Sequence, residues 1–225
     1  MNKTLLGILL LVLYFVVSAT IYFACAGRID LPIAWLYFAL NIILGVYFSI
    51  VIARSSPDLI AERLKPGPGE QDRVFKAGST IITVVMLVLA GLDVGRYHWM
   101  TPIPRPIQIA GLIIGLSGYL FTTWAVVTNR FFSSAVRLQP DRQQVVIDTG
   151  PYAYVRHPGY TGAIPYMILG NLALGSWLST IIGGIPLLII IFRRILVEDA
   201  MLRTGLPGYQ EYATRVKYRL LPGIW

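Results

Sequence analysis

An all-α, polytopic membrane fold follows from three features of the sequence. Hydrophobic residues fill 56% of its 225 positions and charged residues only 13%, where a soluble domain carries about a quarter charged. Mean hydropathy is correspondingly high, +0.65. The apolar residues collect in runs, and about 20 residues at ~1.5 Å each suffice to cross roughly 30 Å of hydrocarbon. The basic residues, in turn, fall almost entirely in alternate loops, the asymmetry that sets orientation in a membrane.

The first apolar run, residues 5–23, follows a lone Lys3. It is longer than the roughly 7–15 residues of a signal-peptide core, and a second span follows at once, so a retained helix is expected despite the small residues at Ala24–Cys25–Ala26. Arg28 and Asp30 mark a turn. Residues 31–53 form the second span, with Trp35 and Tyr37 as interfacial aromatics. Residues 54–76 are a polar loop, within which residues 56–64 have the N-cap serine, Pro57 and spaced apolar residues of a short surface helix; a solvated connector is the equal alternative. Residues 77–94 are the third span, and Asp93 near its end is expected to snorkel or to pair with Arg96. Pro102, Pro104 and Pro106 punctuate the next turn. Residues 107–127 are the fourth span, whose Gly111 and Gly115 have the small-residue spacing that lets a second helix approach closely, more often within one chain than in a dimer.

After a long polar stretch at 128–156, the apolar segments 160–175 and 180–197 form a helical hairpin turning at Ser176–Trp177, for about six membrane passages in all. A polar tail, 198–225, is expected to act as a lid. Sixteen of the 19 Lys and Arg residues fall on one side of this arrangement, which places both termini, and the long polar segments, in the cytoplasm. The chain divides into an N-terminal four-helix region, residues 1–128, with its loop at 54–76, and a C-terminal region, residues 129–225, which holds the chemistry. The net charge of +8 tracks this topology rather than forming a stripe for nucleic acid. A single cysteine, Cys25, excludes an internal disulfide, and two distant histidines give no expectation of a metal site.

Ionisable residues at the edge of a span are costly unless paired or wet, and so are default site candidates. The hairpin brings two such groups to one face: Arg156–His157–Pro158–Gly159–Tyr160 at its entrance and Glu198–Asp199 at its exit. Taken singly, each charge is better explained structurally, with Arg156, Arg193 and Arg194 as positive-inside anchors and Glu198 as the partner of one of them.

The whole pattern resembles the isoprenylcysteine carboxyl methyltransferase family, which is also similar to phospholipid N-methyltransferases. It is carried by Gly150–Pro151–Tyr152, Val155–Arg156–His157–Pro158 and Tyr160–Thr161–Gly162, then Glu198–Asp199, Leu202, Tyr209, Tyr212 and Arg219–Leu220–Leu221–Pro222, with Asn129–Phe132–Ser133 upstream. The resemblance is detailed over roughly the last hundred residues and extends to the loop at 62–73. It implies S-adenosylmethionine as cofactor, with Tyr152, Val155, His157, Pro158, Tyr160, Glu198, Tyr209 and Tyr212 around it. It implies catalytic roles for Arg156, Glu198 and Asp199, with Arg156 facing an anionic substrate group or bracing the loop. Asp199 departs from the family's commoner second Glu, which leaves its partner open. The implied acceptor is amphiphilic, with an isoprenylcysteine-like carboxylate foremost and a lipid amine second. Outside this class stand a transporter or non-catalytic lipid-binding protein and a membrane reductase using a nicotinamide. No Gly-x-Gly-x-x-Gly fingerprint indicates a Rossmann site.

Overall fold

The computed structural model describes residues 3–55, 59 and 70–225, and these contain seven α-helices and no strand. They are α1 (Lys3–Ala26), α2 (Pro32–Ser55), α3 (Glu70–Leu92), α4 (Arg105–Thr128), α5 (Pro158–Ile164), α6 (Trp177–Gly205) and α7 (Tyr209–Arg215). Five stretches among them are long and apolar enough to cross a membrane: Thr4–Ala26, Pro32–Ser55, Asp72–Tyr97, Arg105–Thr128 and Trp177–Gly205. Their outward faces carry exposed Leu9, Ile43, Ile81, Ile113 and Ile189, as lipid-facing surface requires. The surface helix expected at 56–64 lies outside the described residues except for Leu59, which is helical and fully buried beside Ile52 and Val126.

Prolines open three of the helices, at Pro32, Pro106 and Pro158, where the missing N–H costs nothing and the fixed φ is already helical. Two helices outrun their apolar sequence. Helix α3 begins at Glu70 rather than near 77, and α6 continues to Gly205 rather than ending near 197, because a backbone already hydrogen-bonded in lipid gains by staying so on leaving it. Glu198 and Asp199 therefore sit on a helix, not in a turn.

The first arm of the hairpin is composite: α5, a π turn at Pro165–Leu169 and a 3₁₀ turn at Gly170–Leu174. At 1.5–2.0 Å per residue it spans about 25 Å. It lies antiparallel against α4 along a glycine seam. A Cβ at Gly111 would stand 2.6 Å from the Leu169 carbonyl oxygen, one at Gly115 2.6 Å from Gly170 Cα, and one at Gly118 2.5 Å from the Gly162 carbonyl oxygen. The small-residue spacing of α4 thus serves backbone contact within the chain. Buried polar side chains tie the other helices on: Tyr22 donates to the Leu174 carbonyl (2.9 Å), Tyr166 to Asn41 Oδ1 (2.7 Å), and Ser179 to the Met86 carbonyl (2.7 Å).

At the end remote from the Arg156 loop, Asp93 does not pair with Arg96. A π turn at Asp93–Tyr97 swings the two apart. The Asp93 carboxylate accepts from Ser176 Oγ (2.6 Å) and Met100 N (3.0 Å), while Arg96 donates to the Cys25 and Ala24 carbonyls (2.7 and 3.0 Å). The aromatics at this end pack in pairs, Phe23 on Trp35 and Tyr97 on Trp99.

Candidate functional site

The site is built where three segments meet: the 150–161 turn, the C-terminal half of α6 and the tail. Gly150–Ala153 is a 3₁₀ turn, and His157 is the residue before Pro158, which starts α5. Arg156 N donates to the Tyr218 carbonyl and His157 N to the Arg219 carbonyl, each at 2.9 Å, and Thr161 Oγ1 donates to the Leu220 carbonyl at 2.9 Å. The tail is thereby docked along the turn by hydrogen bonds to its own backbone carbonyls. Gly159 lets the Phe132 ring, part of the cavity wall, pack close, since a Cβ there would stand 2.7 Å from the ring and push it aside.

Asp199 is the hub of this docking. It is 2% exposed, and both oxygens are fully engaged. Oδ1 accepts from Arg156 Nε (2.9 Å), Tyr209 Oη (3.0 Å) and His157 Nε2 (3.3 Å). Oδ2 accepts from Arg203 Nε and Arg219 Nε, both at 3.1 Å, and more distantly from Arg156 Nη2 at 3.3 Å. Because a carboxylate only accepts, His157 carries its proton on Nε2 in this pair. Arg156 spends its remaining reach on the Val216 and Lys217 carbonyls, both 2.8 Å from Nη1. These groups brace the tail. Burial first, and the Asp199 charge second, push the Tyr209 phenol well up, so it remains a neutral donor to the hub. Tyr212, also pushed up by burial, donates to the Tyr152 carbonyl at 2.7 Å.

Glu198, one residue earlier, faces the other way, into a cavity of about 390 Å³. Its Oε2 accepts from Tyr160 Oη (2.8 Å), and that hydroxyl accepts from Arg194 Nε (2.8 Å). Its Oε1 has, among the described residues, only His157 Nδ1 nearby at 4.0 Å. Ile191, Arg194, Glu198 and Met201 recur every three or four residues on α6 and line the cavity together, as one helical face must. Tyr152 closes another side. Asn129 Oδ1 accepts from Phe131 N (2.9 Å), which fixes the amide so that Nδ2 donates to Tyr152 Oη (3.3 Å). The Tyr152 hydroxyl proton then has no acceptor among the described residues. An unspent acidic oxygen and an unspent buried hydroxyl proton, both facing one cavity, are what a polar ligand would satisfy.

Of the residues expected around a cofactor, Tyr152, His157, Tyr160, Glu198, Tyr209 and Tyr212 line this cavity. Val155 and Pro158 are buried without lining it. Of the residues expected to be catalytic, Glu198 and Arg156 reach the cavity and Asp199 does not. The roof, residues 129–147, was not resolvable as a site element from sequence beyond its Asn129 segment. It has only one 3₁₀ turn, at Pro140–Arg142, and is held by buried Gln139, which donates to the Phe131 carbonyl (2.7 Å) and accepts from Arg142 (2.7 Å). The valines and isoleucine at 145–147 line the cavity. Arg194 was also missed as a site residue; its four-residue spacing from Glu198 is the signal that finds it.

Residues 111–204 match the isoprenylcysteine carboxyl methyltransferase family. The matched stretch contains the glycine seam, Asn129, Tyr152, Arg156, His157, Tyr160, Arg194, Glu198 and Asp199; the tail tyrosines lie beyond it. The chain is 31% identical over 112 residues to a probable protein-S-isoprenylcysteine O-methyltransferase of Oryza sativa subsp. japonica, covering 49% of this chain and 59% of that protein. It is 29% identical over 102 residues to a protein-S-isoprenylcysteine O-methyltransferase of Schizosaccharomyces pombe, covering 45% of this chain and 43% of the relative. The chain thus aligns with less than two thirds of the length of these curated relatives.

Proposed function

We propose that this protein is an integral membrane methyltransferase that uses S-adenosylmethionine and transfers its methyl group to the carboxylate of an isoprenylcysteine-like, amphiphilic acceptor at the cytoplasmic face. The observation that carries this is that Glu198 Oε1 and Tyr152 Oη, both unspent among the described residues, belong to one cavity and both lie within the family-matched stretch.

S-adenosylmethionine supplies an electrophilic methyl on a sulfonium, together with an ammonium, ribose hydroxyls and an adenine. The donor set suits it. Glu198 Oε1 accepts from an ammonium or a ribose hydroxyl, and the Tyr152, Tyr209 and Tyr212 rings offer stacking and cation–π surfaces. The cavity volume falls within the range of small-molecule sites, about 300–1,000 Å³. Its lining also includes the apolar side chains of Phe75, Phe132, Ala163, Met167 and Ile191, which suits an acyl or prenyl chain whose head points toward Glu198. A carboxylate acceptor is nucleophilic as it stands and needs no general base, whereas an ammonium would first have to lose a proton. The residues therefore act by holding the two reactants in line and excluding water. The lid formed by the tail is sealed by Asp199 and Arg156. The cytoplasmic assignment follows from the distribution of Lys and Arg.

Calorimetry with S-adenosylhomocysteine on purified protein tests the cofactor. Saturable binding that is lost in Glu198→Gln is expected, and no binding at millimolar ligand overturns the reading. Incubation with labelled methyl donor and an isoprenylated cysteine should then yield a base-labile label; a base-stable one points to an amine acceptor.

A further inference from the structure

Arg194 lies among the basic residues that anchoring to lipid headgroups would explain, yet its guanidinium is turned inward and joins four separate pieces of the structure. Nη1 pairs with Asp72 of α3 (2.9 Å), Nη2 donates to the Ser134 carbonyl of the roof (2.9 Å), Nε donates to Tyr160 Oη (2.8 Å), and the plane stacks on Phe75 at 4.2 Å. Its side chain is only 8% exposed. Asp72 also accepts from Val136 N of the roof at 3.1 Å.

We propose that Arg194 is a positioning residue for Glu198, acting through Tyr160. The inference rests on the cofactor reading above. A guanidinium has donors and no acceptor, so the Tyr160 oxygen has to accept from Arg194 and its single proton is directed at Glu198 Oε2. That carboxylate oxygen is thereby consumed, the carboxyl plane is fixed, and Oε1 is the oxygen presented to the cavity. Without Arg194 the Tyr160 hydroxyl is free to rotate, and Glu198 is free to turn either oxygen to His157 or to water. The relay is directional, running Arg194 to Tyr160 to Glu198. Asp72 and Ser134 hold its first member in place but are not part of it.

The rival role for Arg194 is tethering alone, in which its value lies in holding α3 and the roof to α6. A double-mutant cycle read by S-adenosylhomocysteine affinity separates the two, with the thermal unfolding midpoint of each variant recorded alongside. Arg194→Gln and Tyr160→Phe are each expected to weaken binding about tenfold, the scale of one charge-assisted hydrogen bond. The double variant is expected to weaken it about tenfold as well, not the roughly hundredfold product of independent sites. Arg194→Lys keeps the charge but not the fork, and is expected to match Arg194→Gln; it takes the place of Arg194→Gln in the cycle if the glutamine variant does not fold. Asp72→Asn should change affinity less than about threefold, within the scatter expected of an uncoupled site. Unchanged affinity in the folded Arg194 variants, multiplicative losses, or a loss reproduced by Asp72→Asn and not by Tyr160→Phe overturns the relay while leaving the cofactor reading intact. Absence of binding by the unaltered protein overturns both.

Discussion

Glu198 and Asp199 are neighbours in the chain and opposites in environment. A step of one residue on a helix turns the side chain by about 100°, and here that turn separates a cavity from a seal. Asp199 meets Arg156, Arg203, Arg219, His157 and Tyr209 and has no lone pair left for a ligand. Glu198 meets Tyr160 and keeps one oxygen open. The same functional group closes the site in one position and presents a face in the other. Substitution by a shorter side chain fits the first task, since Asp199 sits directly under the docked tail, and the longer Glu198 suits reaching across a cavity.

The contrast breaks most visibly at Asp199. Asp199→Ala strands Arg156 in a buried site and should cost about 3–5 kcal/mol, as for one partner removed from a buried pair, seen as a large fall in the detergent unfolding midpoint and as proteolysis within 206–219. Arg156→Ala should behave alike, and the pair together should cost far less than the sum. Tyr212→Phe loses one buried hydrogen bond to the Tyr152 carbonyl and should cost about 1 kcal/mol. A pH series gives a smaller, graded effect through Tyr209. Its folded phenol titrates above its unfolded value of about 10, so its contribution is complete below that value and is lost as pH rises past it toward the folded one. The unfolding midpoint should therefore decline above about pH 10, and part of that slope should vanish in Tyr209→Phe. Smallest in stability is Glu198→Gln, expected to change it by less than about 1 kcal/mol because this carboxylate is half-open to the cavity, while S-adenosylhomocysteine binding is lost. Equal stability losses at 198 and 199 would erase the distinction.

The meeting of Arg156–His157 with Glu198–Asp199 was legible in the sequence because a hairpin has to return its ends to one face, and the apolar runs were legible because lipid demands them. Less was visible wherever polarity and secondary structure part company. Asp72, Arg73 and Lys76 look like loop and are helix; Glu198 and Asp199 look like a helix exit and lie seven and six residues before the end of α6. The family resemblance implies a catalytic role for both carboxylates alike, and only the phase of the helix tells them apart. The roof at 129–147 has no periodicity to detect, since it is held by individual side chains such as Gln139. Arg194 was hidden by its resemblance to a headgroup anchor, which its neighbour Arg193 still fits.

The glycine seam has a consequence for how molecules get in and out. Where Gly118 meets Gly162 and Thr122 donates to the Gly159 carbonyl at 3.1 Å, there is no side-chain layer to slide or compress, so the helix that bears Tyr160 and follows His157 is fused to α4 in all but covalent bond. One wall of the cavity is thus an anvil. The roof, by contrast, is fastened to the helices through the side chains of Asp72 and Arg194, so it is the part of the lining expected to yield first when contents are exchanged.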